Sequence, residues 1–388
     1  MCMLLADCAR RIEPTLSALS VVGCFLLSTV TPTTAPAGLQ GDPDPARRAA
    51  QSRRPATTKS VLVISLRSAT QTPRCSNELL MAETFTDENS IRAYFIENSY
   101  GRASISGTVS GPYAIDVGST CDLVGWANQG DAAAAAVGVN VGDYDSTVYI
   151  LPPESNALSC IPGSSAVRRP GDRRGQRITI RENTCESKLS IAHELGHAFG
   201  VEHAGVSAAY VPLPVPDARQ TRASQLMYGD LSSVMGGIFD GLVDPGTERA
   251  MFNALPHFTA PQKIHLGWLP AGNVQTVTEA GSYSVAVLAT AVNDVQALRV
   301  IVGDSVFYVS YRRAVGFDSS LLSQYVDKTS VHTQYFREST QQGGASTLHA
   351  TLDDGHSYSE GRFTITQVRH DRSHAYVRIS FPSGRWSK

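Results

Sequence analysis

The sequence predicts an α+β protein in two parts: a mixed strand-and-helix domain over residues 59–270 and an all-β, sandwich-like domain over residues 271–388. Three observations carry this. In the first part, apolar runs that suit buried strands alternate with stretches of helical character. After Pro270, short β-rich runs follow one another at close spacing with turn clusters between them. The whole chain of 388 residues is 42% hydrophobic and 18% charged, the balance of a globular protein with a real core.

The first fold element is SVLVISL, Ser60 to Leu66, a continuous apolar run that reads as a buried strand. A helix is predicted over Glu88 to Asn98, where Ile91, Tyr94 and Phe95 share one face and Gly101 suits the stop. ASISGTV alternates as a strand does, and DAAAAAVG, Asp131 to Gly138, is helical by propensity. STVYILP from Ser146 and QRITIRE from Gln176 read as strands, and a helix begins near Lys188. Beyond Pro270 come GSYSVAVL, ALRVIV, SVFYVSYR, SVHTQYF, STLHATL, RFTITQV and AYVRISF, with one helical turn between Ser319 and Gln324. Seven such runs in about 118 residues are a sandwich signal. Val302-Gly303-Asp304 and Asp353-Asp354-Gly355 read as hairpin turns. No D-x-D-x-D-G loop exists, so calcium has no support in the sequence.

Arg10 and Arg11 precede an apolar run, Leu16 to Val30, followed by small residues at Ala35 and Ala37. This is the pattern of a secretory signal over residues 1–37. At about 15 residues the run is shorter than the roughly 20 that span a bilayer, so no stable membrane insertion is expected once the signal is cleaved. The competing forms are an uncleaved anchor and a lipoprotein box ending at Cys24, but the apolar run continues past Cys24 into Phe25, Leu26 and Leu27. Residues 38–58 are rich in Pro, Arg, Ala and Gln and read as a linker or short pro-segment. The formal charge of −2 and the lack of a long basic run argue against a nucleic-acid partner.

Of seven cysteines, Cys2, Cys8 and Cys24 fall in the signal region. Cys75, Cys121, Cys160 and Cys185 remain, and an even count in an exported chain predicts two disulfides. Three pairings are open. The absence of a CxxC pair argues against a cysteine metal site.

The chemistry concentrates in HELGHAFGVEH, His193 to His203. His193 and His197 are four apart, so on a helix they share a face and can bind one cation. Glu194 lies beside the first histidine and can act as general base without ligating. Gly200 can take a positive φ, stop the helix and turn the chain, which brings His203 back as a third ligand. Three protein ligands leave a fourth position for water, the arrangement of a catalytic rather than a structural zinc. The competing reading is a polar helix with solvent-facing histidines, packed through Ala192, Leu195, Ala198 and Phe199.

This extended motif resembles that of the metzincins, zinc endopeptidases with a buried methionine turn beneath the metal. Met235, in Ser233-Val234-Met235-Gly236, resembles that turn more closely than Met227 does. YGDLSSVMGG (Tyr228 to Gly237), APQKIHLGWL (Ala260 to Leu269), ENSYGRASISG (Glu97 to Gly107) and YRRAVGFDSSL (Tyr311 to Leu321) are similar to stretches of the gametolysin-like secreted metalloproteases. The likeness covers roughly residues 60–388, and the zinc motif is its specific part. It implies a zincin-like catalytic domain with a mixed sheet and an active-site helix. It also implies one catalytic Zn2+ and action on extracellular protein or peptide substrates, while the export signal leaves the medium, the periplasm and the cell surface open as locations.

Tyr228 is a candidate oxyanion donor, by likeness to a tyrosine near the methionine turn of some metzincins; packing is its competing role. Pro73-Arg74-Cys75 resembles the start of a cysteine switch, but Ser76-Asn77-Glu78 breaks the match, and a disulfide is the favoured reading of Cys75. Glu202 is expected to be solvated or to act from behind the ligands rather than as a fourth ligand, and His257 and His265 to be structural. The alternatives to a peptidase are a zinc-site adhesion or binding protein without activity and a zinc hydrolase of a non-peptide amide.

Overall fold

The computed structural model describes residues 57–71, 73, 75–152, 164–168, 176–181, 188–210, 226–237, 254–337, 342–361 and 363–381. The signal region, the linker up to residue 56, Cys160 and Cys185 lie outside the described residues. All described residues belong to one compact unit, Pro43–Lys388. The class is α+β, with three sheets and few helices.

The first sheet contains β1 (Thr57–Arg67), β2 (Ala103–Ala114), β3 (Ser146–Leu151), β4 (Ser164–Arg168) and β5 (Gln176–Arg181), in the order β2-β1-β3-β5-β4. Its pairings are parallel except for the edge strand β4, which runs antiparallel to β5. The continuous apolar run of β1 has a physical reason: side chains alternate between two covered faces. Val61 and Val63 enter one apolar cluster, while Leu62, Ile64 and Leu66 enter another on the opposite face. The second face is covered by helix α3 (Leu123–Ala136), which supplies Trp126, Ala127 and Ala134.

The first face is covered by α2 (Ile91–Asn98), by α4 (Lys188–Phe199) and by the segment from Leu255 to Trp268. That segment contains the short helix α5 (Ala260–His265), while α1 (Asn77–Met81) precedes α2. An aromatic cluster joins these pieces. Phe258 stacks on Trp268 at 5.3 Å between ring centroids, Phe199 meets Trp268 at 5.5 Å, and Phe95 meets Phe199 at 4.8 Å.

Helix ends depart from the sequence expectations where caps decide them. α2 begins at Ile91 rather than Glu88, because the Ser90 side chain accepts from Ala93 N and stops the helix there. α3 begins eight residues before Asp131, at Leu123, with the Asp122 side chain capping Gly125 N. The APQK stretch is a helix, α5, with a capping box of Thr259 and Gln262 and a proline in its first turn.

The second sheet has the order β6-β12-β11-β10-β9-β7, built from β6 (Ala204–Val206), β7 (Val274–Val277), β9 (Ala297–Val302), β10 (Ser305–Arg312), β11 (Lys328–Arg337) and β12 (Gln342–Leu352). The third, β13-β14-β15-β8, contains β8 (Gly281–Ala286), β13 (Ser357–Glu360), β14 (Phe363–His370) and β15 (His374–Ser380). The two share one apolar cluster that includes Val300, Val309, Val331, Ile365 and Val377. Strands β7 and β13 are short and largely exposed, so they lack the alternation that would have marked them in the sequence.

Gly303-Asp304 closes the β9–β10 hairpin, with Val302 paired to Ser305. Asp353-Asp354-Gly355 does not close a hairpin as expected; it carries the chain from β12 in one sheet to β13 in the other. Strand β6 lies well before Pro270 in sequence, yet it pairs in parallel with β12. The change of character at Pro270 is therefore not a break in packing.

Phe258→Ala removes the centre of the aromatic cluster and is expected to cost about 3–5 kcal/mol. A denaturant titration checks this; a midpoint equal to wild type would mean that the cluster does not hold α4 to the sheet.

Candidate metal centre

Helix α4 forms because Leu189, Ile191, Ala192 and Leu195 make one apolar stripe, and all are buried. It stops at Gly200, whose φ is +110°. Gly200 N donates to Gly196 O and His197 O, and Val201 N also donates to Gly196 O. A Cβ at Gly200 would meet nothing within 4 Å, so glycine is needed for the backbone angle and not for space. The turned chain then enters β6 one residue after His203.

His193, His197 and His203 come together, with one ligand atom from each lying within 4.8 Å of the others. Their ring centroids are 4.7 to 5.3 Å apart. His193 Nδ1 lies 2.8 Å from Val234 O, and His197 Nδ1 lies 2.8 Å from Val201 O. A carbonyl only accepts, so both Nδ1 atoms carry the proton and both Nε2 atoms present a lone pair. His197 Nε2 is 3.1 Å from His203 Nε2. Two nitrogens sharing a tetrahedral zinc at about 2.0–2.1 Å would lie roughly 3.3–3.4 Å apart, so the donor set fits such an ion.

Burial pushes the His193 pKa down from its ordinary value. Burial and then the neighbouring His193 do the same for His197. Both effects favour the neutral, ligating form. The triad can therefore hold a metal ion.

Beneath the helix sits Met235, fully buried. A Cβ placed on Gly196 would fall 2.4 Å from Met235 Sδ, so the helix is glycine where it meets the sulfur. Met227 is only half-buried. The Tyr228 ring lies against His203, with centroids 4.1 Å apart, so the structure brings this tyrosine to the triad. Glu194 is buried on α4 and acts electrostatically on His197.

Glu202 is buried rather than solvated, and its carbonyl accepts from Gln262 Nε2 at 2.9 Å. Cys75 and Cys121 are each disulfide-bonded, so the Cys75 thiolate is not free to approach a metal. Exposed His265 packs over Gly343 and Gly344 in β12.

No family model and no curated protein matches this chain.

Several residues around the centre carry no sequence signal. Asp230 is fully buried, with Oδ1 accepting from Ser232 N and Oγ and Oδ2 facing His332 Nε2 at 2.9 Å. Burial alone would raise its pKa, but the hydrogen bond and charge of His332 and the two hydrogen bonds from Ser232 bring it below the ordinary value. Arg312 forms a two-pronged pair with Asp318 and donates through Nη2 to Ser232 O at 2.8 Å. Lys263 Nζ donates to His257 Nδ1 at 3.0 Å, and His257 Nε2 lies 3.2 Å from Glu97 Oε1. His257 is thus structural, as expected, but as part of a buried charged network. The TxxQ capping box at Thr259 could have exposed one member, Gln262, which bonds Ser233 Oγ. The others are joined only by the fold.

Two outcomes follow for this region. Gly196→Ala should weaken folding and metal binding, and less so when Met235→Ala opens the space. A double-mutant cycle reads the coupling, and additive effects would mean that Gly196 and Met235 do not touch.

Burial and the nearby Lys263 hold the His257 pKa well below its ordinary value of 6.5. As pH falls below that value the unfolded chain takes up a proton that the folded chain refuses, so stability falls on acidification and is fully present above it. Replacing His257 with Gln should flatten the stability–pH slope between pH 6.5 and 5 by up to about 1.4 kcal/mol per pH unit. Parallel slopes for the two proteins would contradict the burial of a neutral imidazole.

Proposed function

We propose that this protein is a secreted zinc-dependent endopeptidase of the metzincin, gametolysin-like kind, with a C-terminal β-sandwich. One observation carries the reading. Three histidines converge with two of their rings locked in the ligating tautomer, and a buried glutamate lies next to the first of them on the same helix.

His193, His197 and His203 would hold the zinc. When bound, zinc supplies a Lewis acid for the scissile carbonyl and makes water acidic enough to attack near neutral pH. Glu194 takes a proton from the attacking water and returns it to the leaving nitrogen. The Val234 and Val201 carbonyls keep the His193 and His197 rings oriented while charge shifts nearby. Tyr228, whose ring lies tilted against His203, brings a hydroxyl donor to this side of the site and is a candidate to stabilise the oxyanion.

A peptide substrate is supported by the edge strand β4. Among the described residues it is the last strand of its sheet; it lies against α4 and can pair with an extended chain by strand addition. Export is supported by the signal-like N-terminus and by the disulfide-bonded Cys75 and Cys121.

A casein or gelatin zymogram with and without chelator tests the reading, alongside Glu194→Ala. Wild type should clear the gel, the chelator should abolish clearing, and Glu194→Ala should lose about 10²- to 10⁴-fold in kcat. Equal rates for wild type and Glu194→Ala would remove the mechanism. Zinc-loaded, processed protein that cleaves no peptide would favour a binding protein.

A further inference from the structure

The third histidine and the methionine turn are both held from the C-terminal β half. Ser346 N on β12 donates to the carbonyl of His203 itself at 3.2 Å, and the next three residues pair with β12 as strand β6. Ala204, the residue after His203, is gripped twice by the turn: its N donates to Met235 O at 2.8 Å, and its O accepts from Asp230 N at 3.2 Å. Gly237 N closes the turn on Tyr228 O at 2.8 Å. The turn thus holds the ligand's neighbour and carries the ring that packs against the ligand, the buried methionine and the carbonyl that orients His193.

The same turn is anchored in the other direction by two side chains of the second sheet. On the face of the sheet opposite its apolar cluster, Ser310 pairs with Ser330, and Arg312 and His332 each lie two residues beyond them on that face. His332 Nε2 meets Asp230 Oδ2, and Arg312 Nη2 meets Ser232 O. Both side chains are nearly inaccessible, at 1% exposure, and Asp230 is at 0%. Asp230 converts the grip of His332 into a fixed turn, since its other oxygen holds Ser232 N and Oγ.

We propose that the C-terminal β half is a working part of the metal centre, with His332 as a positioning residue that sets the His203 and Met235 geometry through Asp230. This rests on the reading of the triad as a zinc site. His332 touches neither ligand nor substrate. It acts by keeping the turn in register with the helix, as outer partners of ligating residues do in metal sites.

The test uses the full processed chain and reads metal binding rather than proteolysis. Zinc affinity is measured by competition with a chromophoric chelator, the ligand field by the visible spectrum of the cobalt-loaded protein, and folding by thermal midpoint. His332→Leu should bind zinc 10- to 100-fold more weakly, with an altered cobalt spectrum. His332→Gln, which can still donate to Asp230, should recover most of the affinity. Val300→Ala, buried between the two β sheets away from the turn, should lower the thermal midpoint while keeping wild-type affinity and spectrum.

If His332→Leu does not fold, His332→Asn replaces it: the side chain is polar but too short to reach Asp230, and the same loss is expected. Wild-type affinity and spectrum in a folded His332→Leu or His332→Asn would overturn the proposal. So would an equal loss in Val300→Ala, which would make the effect one of general destabilisation. A wild-type protein that binds zinc without cleaving peptides would sink the peptidase reading alone, and one with no zinc affinity would sink both.

Discussion

A single α-helix can offer only two imidazoles to one point, because side chains four apart share a face and the next residue on that face lies about two turns, roughly 10 Å, along the axis. The third must come from chain that has left the helix. That requirement organises much of this molecule. Gly200 takes the positive φ that ends α4, and three residues later His203 faces His197 with 3.1 Å between their Nε2 atoms. A ligand on irregular chain has no helical hydrogen bonds to hold it, so its position depends on what lies around its backbone. Here these are the edge of a β-sheet on one side and the turn from Tyr228 to Gly237 on the other.

Orientation of the rings poses a second requirement. An imidazole ligates only if its other nitrogen takes the proton, and an acceptor must stand at that nitrogen to keep it there. For His197 the acceptor is Val201 O, four residues away, supplied by the turn that Gly200 makes. For His193 it is Val234 O, next to Met235, so the ring and the floor of the site are set by the same piece of chain. The turn cannot be held by apolar packing alone, because its backbone groups need partners in the interior. Asp230, Ser232, Ser233 and Gln262 provide them inside the first part of the chain, and His332 and Arg312 provide them from the second sheet. Buried polar and charged contacts of this kind contribute little net stability, since desolvation offsets the attraction. Their effect is on register, because any other arrangement strands a buried charge.

Much of the element order was legible in the sequence. The run Ser60 to Leu66, the strands at Ser146 and Gln176, the helix from Lys188 and the main strands after Pro270 lie where periodicity puts them. Misplaced ends trace to caps: Ser90 shortens one helix, and Asp122 lengthens another beyond its alanine run. The strands that escaped, β4, β6, β7 and β13, have only three to five residues, too few for a period to register. For Glu202 the sequence leaves two places open, solvent or a position behind the ligands, and its burial between His203 and the α5 cap decides for the second. The acidic turn after β12 differs from the expected hairpin because Asp-Asp-Gly marks a reversal of the chain without saying which sheet the next strand joins.

What the sequence by itself determined is the local part of the centre. The ligand pair, the neighbouring glutamate and the glycine that turns the chain all lie within eleven residues, and helical periodicity alone relates them. Only the tertiary structure decided which nitrogen of each ring faces inward, which methionine forms the floor and what holds the third ligand. Those contacts join residues 41 positions apart for His193 and Val234 and 102 apart for Asp230 and His332. No local pattern relates residues that far apart. They meet because the apolar faces of two sheets and a helix must be buried, and burial brings with it polar groups that then need one another.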